Sequence, residues 1–139
     1  MKRVTGIGGI FFTAKGEVSR LKKWYATQLG IEEEQPGHGV MFNWRQYQDP
    51  EKTGLTVFSV FEKETDYLSP SDSGFMINFR VKDLAQLLET LNAEGVEQIG
   101  GMQEYEYGKF AWIMDPEGNK IELWEPPAGP AFEGGVPSE

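Results

Sequence analysis

The sequence predicts an α+β fold made of two strand–helix–three-strand halves, and three observations carry that prediction. Two segments show the three-to-four spacing of amphipathic helices, each preceded by a short β-branched or aromatic run. Landmarks of the first half return in the second, in the same order, 65 to 68 residues later. A chain of 139 residues with 39% hydrophobic and 13% aromatic content can fill a core, so disorder is not the default.

Residues 4–12, VTGIGGIFF, read as a strand whose glycines let something approach closely. The same stretch, after Lys2 and Arg3, has the outline of a signal peptide. Its three glycines and the Lys15 and Glu17 that follow argue for a strand instead. No run reaches the roughly 20 apolar residues of a membrane span. Residues 17–29 read as a helix with Val18, Leu21, Tyr25 and Leu29 on its buried face, stopped by Gly30. Strands are expected near 31–35, 39–45 and 55–61.

Gly74 opens the second half. Residues 75–81 read as a strand and 83–94 as a helix, with Asp83 as N-cap and Leu84, Leu87, Leu88 and Leu91 on one face. Gly95 ends that helix, and strands near 96–103, 108–114 and 119–125 complete the set. Residues 127–139 are a Pro/Gly-rich tail with little reason to order by itself.

The duplication rests on three matches. Gly30-Ile31 returns as Gly95-Val96, Phe42-x-Trp44 as Phe110-x-Trp112, and Asp49-Pro50-Glu51 as Asp115-Pro116-Glu117. One unit of ~60 residues buries too little apolar surface to be comfortable alone. Two units can bring their sheets together, cover the outer faces with helices and leave a groove between the inner faces.

Charge narrows the function. A formal net charge of −9 repels phosphate backbones and anionic bilayers, and no basic stripe overrides it, so neither nucleic acid nor membrane is an expected partner. With no cysteine, disulfides, thiolate metal sites and cysteine nucleophiles are excluded together, which suits a cytoplasmic protein. Trp24, Trp44, Trp112 and Trp124 are many tryptophans for this length, and indoles suit the wall of a concave surface.

Three segments, VTGIGGIFF with KKWYATQLGI, FRVKDLAQLLETLNAEGV (79–96) and DPEGNKIEL (115–123), make the chain resemble the vicinal oxygen chelate superfamily. That superfamily takes in glyoxalases, bleomycin-resistance proteins, fosfomycin-resistance enzymes and extradiol dioxygenases. The resemblance covers residues 4–126. It implies one glyoxalase-like domain of paired βαβββ modules, about 4–66 and 74–126, whose curled mixed sheet surrounds a cavity with the helices outside. It also implies a homodimer. DPEGN itself reads first as a hairpin device: Asp115 and Asn119 can bond local backbone, Pro116 presets φ, and Gly118 tolerates a left-handed turn.

Superfamily members that use a metal take His and Glu ligands from four inner strands. The resemblance puts those positions on Gly9, on Ser59 or Thr56, on Met76 and on Glu122. One carboxylate does not make a divalent site, so no metal and no other cofactor is expected. His38, the only histidine, sits in the turn-like PGHG loop and reads as a surface residue, and the acids at 32–34 read as solvated surface.

Alternation along strands groups the remaining candidates. With Glu122 inward, Lys120 and Trp124 share its face; with Met76 inward, so do Asn78 and Arg80. Phe110 and Trp112 are their expected neighbours, and Gly9, Phe11, Phe42 and Trp44 the first-half counterparts. The ligand-binding set is therefore Phe11, Trp44, Asn78, Arg80, Phe110, Trp112, Glu122 and Trp124. The plainer alternative is that Arg80 and Glu122 pair and the aromatics fill space. The leading expectation is a metal-free protein of the bleomycin-resistance type, binding an aromatic or cationic small molecule between the modules. The alternative is an enzyme using Glu122, either a metal-free lyase or isomerase with Glu122 as general base or a metal-assisted lyase or dioxygenase, so enzyme status stays open. A third reading is a closed module that only docks partners.

Overall fold

The structure, a computed structural model, describes residues 3–128. In chain order the elements are β1 (Val4–Thr13), α1 (Val18–Leu29), β2 (Val40–Arg45), β3 (Thr53–Phe61), β4 (Phe75–Val81), α2 (Leu84–Ala93), β5 (Gln103–Tyr105), β6 (Gly108–Met114) and β7 (Lys120–Glu125). The strands form one curled, unclosed mixed sheet in the order β2-β3-β1-β4-β7-β6-β5. β1 runs parallel to β3 and antiparallel to β4, and β4 runs parallel to β7. Each parallel pair is joined through a helix, which is how parallel neighbours are connected. Among the described residues no helix is long and apolar enough to cross a membrane.

Period-two alternation splits the sheet into two faces. On the outer face, Val81, Ala111 and Leu123 are buried with Leu84 and Leu88 of α2, and Phe79, Leu87, Leu91, Ile113 and Ile121 pack around them. This is the leucine face the periodicity predicts. Asp83 caps α2 by accepting the Gln86 N–H at 3.1 Å. α1 differs from expectation, for it has no fully buried residue. It meets the sheet mainly through Tyr25, whose ring packs on Phe12 and Phe58, and Leu29 is left 57% exposed.

Two expected strands do not form as read. Residues 31–35 are irregular, because Glu33 serves the loop rather than a ladder. Its carboxylate accepts the Gly39 N–H at 2.9 Å and pairs with Lys22 at 3.3 Å. Burial pushes the Glu33 carboxyl up, but the Gly39 N–H and the Lys22 charge outweigh it and hold it below its usual value. Glu33 is thus not merely solvated surface. Residues 96–103 give only a bridge between Gln98 and Ile113, followed by the three-residue β5, since Gly100 turns the chain at φ +69°. Apart from Pro127 and Ala128, the expected tail lies outside the described residues.

The β6–β7 turn is the expected hairpin device. Asp115 Oδ1 accepts the N–H groups of Glu117 and Asn119 at 2.8 and 2.9 Å, and Gly118 takes φ +83°. These Asn119 and Glu117 bonds hold the Asp115 carboxyl below its usual range.

Candidate functional site

Met76, Asn78 and Arg80 alternate onto the inner face of β4, all of them buried. The register between β1 and β4 slips between Val4 and Gly6 and again between Ile7 and Gly9, so the glycines of β1 turn toward that face. Gly8 is needed there for lack of space. A Cβ would stand 2.3 Å from Asn78 Oδ1 and 2.9 Å from both Arg80 Cγ and Trp124 Cε3.

Glu122 lies at the centre of one cluster and is only 3% exposed. Its Oε1 accepts from Asn78 Nδ2 at 2.6 Å, and its Oε2 accepts from Trp112 Nε1 at 2.9 Å and from the Tyr67 hydroxyl. Three donors on two oxygens are what an ionised, buried carboxylate requires. Because a carboxylate only accepts, the amide of Asn78 is fixed with Nδ2 toward Glu122. Its Oδ1 is left beside Gly8 without a partner among the described residues.

Tyr67 reaches Glu122 from the segment between β3 and β4, which folds across the inner face. Leu68 joins Phe11 and Met76 in a buried cluster, with Val57, Phe61 and Trp112 packed against it. Lys120, buried on the face of Glu122, donates to the Tyr67 carbonyl at 2.7 Å and lies against the Tyr67 and Trp112 rings. Burial pulls its ammonium below the usual lysine range, while Glu122 and Asp66 oppose that shift. Burial first, then the charge of Glu122 and the bond to it, push the Tyr67 phenol far up. This part of the hollow is a packed polar core.

Arg80 forms the second cluster. It is 7% exposed, with its Cζ 5.2 Å from the centroid of the Trp44 ring and 5.1 Å from that of Trp124. Trp124 in turn stacks on Phe110 at 5.9 Å and donates its indole N–H to the Tyr107 carbonyl at 2.8 Å. Trp44 is held by a bond of 2.8 Å to Thr56 Oγ1 and lies over Gly54, where a Cβ would meet its ring at 2.3 Å. Burial lowers the pKa of Arg80 from the usual guanidinium value. Arg80 and Trp44 open onto a cleft of about 800 Å³ between the ends of β1, β2 and β4 and the start of α2.

The sequence-derived candidates therefore fall into two groups. Phe11, Asn78, Trp112 and Glu122 lie together under the Tyr67–Leu68 segment, and Trp44, Arg80, Phe110 and Trp124 lie together beside or behind the cleft. Arg80 and Glu122 do not pair with one another; each has its own partners. Phe42 is 46% exposed rather than part of a wall. Sequence reasoning missed Tyr67 and Leu68. The available signal was an apolar pair inside an otherwise polar stretch over 62–74, too long for a plain hairpin loop.

The divalent metal of the resembled superfamily does not fit these residues. Gly9 has no side chain to offer, Thr56 is engaged with Trp44 and the Ile7 carbonyl, and Met76 is packed in the apolar cluster. Both oxygens of Glu122 are taken by protein donors. No group of three His, Cys, Asp or Glu side chains converges anywhere among the described residues.

The family described as "Glyoxalase-like domain" matches residues 10–124. No curated protein matches the chain. Among solved structures, a methylmalonyl-CoA epimerase in complex with methylmalonyl-CoA and NH4+ superposes with TM-score 0.63 at 17% identity, over 94% of this chain and 99% of that one. The Mn(II)-bound glyoxalase from Novosphingobium aromaticivorans gives 0.61 at 14% identity, over 100% of this chain and 43% of that one. The methylmalonyl-CoA epimerase from Mycobacterium tuberculosis gives 0.59 at 18% identity, over 92% of both chains. At these identities the likeness is one of fold.

Proposed function

The chain belongs to the glyoxalase-like domain family, within the vicinal oxygen chelate superfamily, and from that premise we propose that it is a metal-independent small-molecule-binding protein. Its ligand sits in the cleft beside Trp44 and Arg80. The observation that carries this reading is that Trp44 and the buried Arg80, whose guanidinium lies 5.2 and 5.1 Å from the centroids of the Trp44 and Trp124 rings, line an open cleft of about 800 Å³. That size falls in the roughly 300–1,000 Å³ range of small-molecule sites, and an aromatic wall with a few polar groups is their usual lining. Of the aromatic and cationic ligands the sequence suggests, the cleft favours the aromatic one, because Arg45, Arg80 and Lys82 on its walls repel a cation.

Catalysis by Glu122, the alternative reading, finds less support. A general base must reach the proton it abstracts, and this carboxylate is covered by Tyr67 and already accepts from three protein donors. The two modules, about 4–66 and 74–126, act as one domain in this proposal, and the protein is a homodimer. Native mass spectrometry tests the subunit count.

The binding proposal is tested by titrating chelator-treated protein with neutral, anionic and cationic aromatic compounds while following tryptophan emission. Saturable quenching by at least one compound is expected. A flat response across the whole panel would sink the proposal.

A further inference from the structure

A buried arginine without a counter-ion needs an explanation. Arginine keeps its charge in proteins, so burial does not neutralise Arg80 as it could a lysine. Its Cζ lies over the rings of Trp44 and Trp124, which accept no conventional hydrogen bond, so the N–H fork must find partners elsewhere. Among the described residues that fork makes one hydrogen bond, a long one of 3.4 Å from Nη1 to the Leu55 carbonyl. No described carboxylate pairs with it. Glu122, on the same inner face, has its oxygens filled by Asn78, Trp112 and Tyr67. Buried charges are ordinarily paired, so the missing acceptor is the notable feature.

The cleft's own charge points the same way. In a chain of net charge −9, Arg3, Arg45, Arg80 and Lys82 line this cleft, and among the described residues Asp83 is the only acid beside them. Asp83 is occupied in capping α2, and Arg3 is paired with Glu94 outside. A concave surface with low-dielectric walls and one sign of charge concentrates the opposite ion even when the whole molecule repels it. Tyr47, 93% exposed, adds an aromatic surface to the cleft lining.

We infer that the cleft recognises an aromatic small molecule through an anionic group, a carboxylate or a phosphate ester, seated on the Arg80 fork between Trp44 and Trp124. This rests on the small-molecule reading above and adds the chemical class of the ligand. The guanidinium offers parallel N–H groups that match two oxygens of either anion. Burial beside two indoles already restricts the Arg80 side chain, so little side-chain freedom is lost on binding.

The test uses wild-type protein and three probes of similar shape: benzoate, phenyl phosphate and benzamide, followed by tryptophan emission and calorimetry. Benzoate or phenyl phosphate should bind saturably and benzamide at least tenfold more weakly. Whichever anion binds more tightly identifies the source of the charge. An R80K variant, with its fold checked by circular dichroism, keeps the charge and loses the fork, and should weaken the anion at least tenfold. Equal binding of benzamide and benzoate would overturn the anion assignment while leaving the cleft a small-molecule site. So would unchanged anion binding by folded R80K. If R80K does not fold, the wild-type contrast between benzoate and benzamide decides alone. Silence of all three probes, in a protein that binds other aromatics, overturns the assignment; silence of every aromatic takes the proposed function with it.

Discussion

Trp112 and Glu122 face one another as direct partners across β6 and β7, and the indole N–H donates to the carboxylate at 2.9 Å. With Asn78 and Tyr67 as further donors, the carboxylate anchors three elements at once. Glu122→Gln supplies an amide with one neutral acceptor oxygen, which Trp112 and Tyr67 must share, and an N–H₂ group that Asn78 can meet only by turning its amide over. The expected loss is about 2–4 kcal/mol of stability. Urea unfolding measures it, and a loss below about 1 kcal/mol would mean the bonds are not those of a buried ion.

Chelation should leave the protein unchanged. If a working divalent site existed, Mn²⁺ at a hundred times its Kd would add about 2.7 kcal/mol of stability. We expect no such rise in Tm on adding Mn²⁺ and no fall on adding EDTA, as read by differential scanning fluorimetry. Stoichiometric metal in the purified protein, with a chelator-induced fall in Tm, would refute the reading of Gly9 and Met76.

Gly8 and Gly16 form a matched pair for a packing test. Gly8→Ala drives a methyl against Asn78, Arg80 and Trp124 and should cost about 1–3 kcal/mol. Gly16 has nothing within 4 Å of the same position and no left-handed φ, so Gly16→Ala should be neutral or slightly stabilising. Equal effects at the two positions would show that the inner face is looser than described.

The segment carrying Tyr67 and Leu68 is a structural cover. Leu68→Ala removes a side chain buried against Phe11 and Met76 and should destabilise by about 2–4 kcal/mol. Tyr67→Phe deletes only the hydroxyl and should lose about 1–2 kcal/mol. If the segment were a mobile lid, Leu68→Ala would leave thermal stability unaltered.

Asp115 sets an acid limb. Its folded pKa lies below the usual 3.8, because Asn119 and Glu117 donate to the charged form. Its contribution is therefore full above 3.8 and is lost as pH falls through the lower folded value. The stability gap between wild type and Asp115→Asn should be constant at neutral pH and narrow below that point. A gap that persists unchanged into strong acid would contradict the assignment.

The sequence disclosed most where one period dominated. Leu84, Leu87, Leu88 and Leu91 gave α2 and its buried face, and alternation in FMINFRV put Met76, Asn78 and Arg80 on the inner side. Glycine and turn chemistry gave the stop at Gly30 and the DPEGN hairpin. What alternation could not show was which inward residues would meet a cover. Glu122 and Arg80 look equivalent in the sequence. One is sealed by Tyr67 and the other opens to a cleft, and that difference is made by a segment with no periodicity of its own. The strand expected over 31–35 failed for a related reason. Its glutamates looked like generic surface, whereas Glu33 has a specific partner in the Gly39 backbone.

The placement of the four indoles has an optical consequence. Trp24 is half exposed on α1, Trp44 and Trp124 flank Arg80, and Trp112 is bonded to Glu122 beneath Tyr67. They constitute separate fluorophores: a red-emitting outer one, a cation-adjacent pair and one bonded to a carboxylate. Iodide should silence Trp24 readily and Trp124, 4% exposed, hardly at all, so the protein carries its own internal reference signal for any occupant.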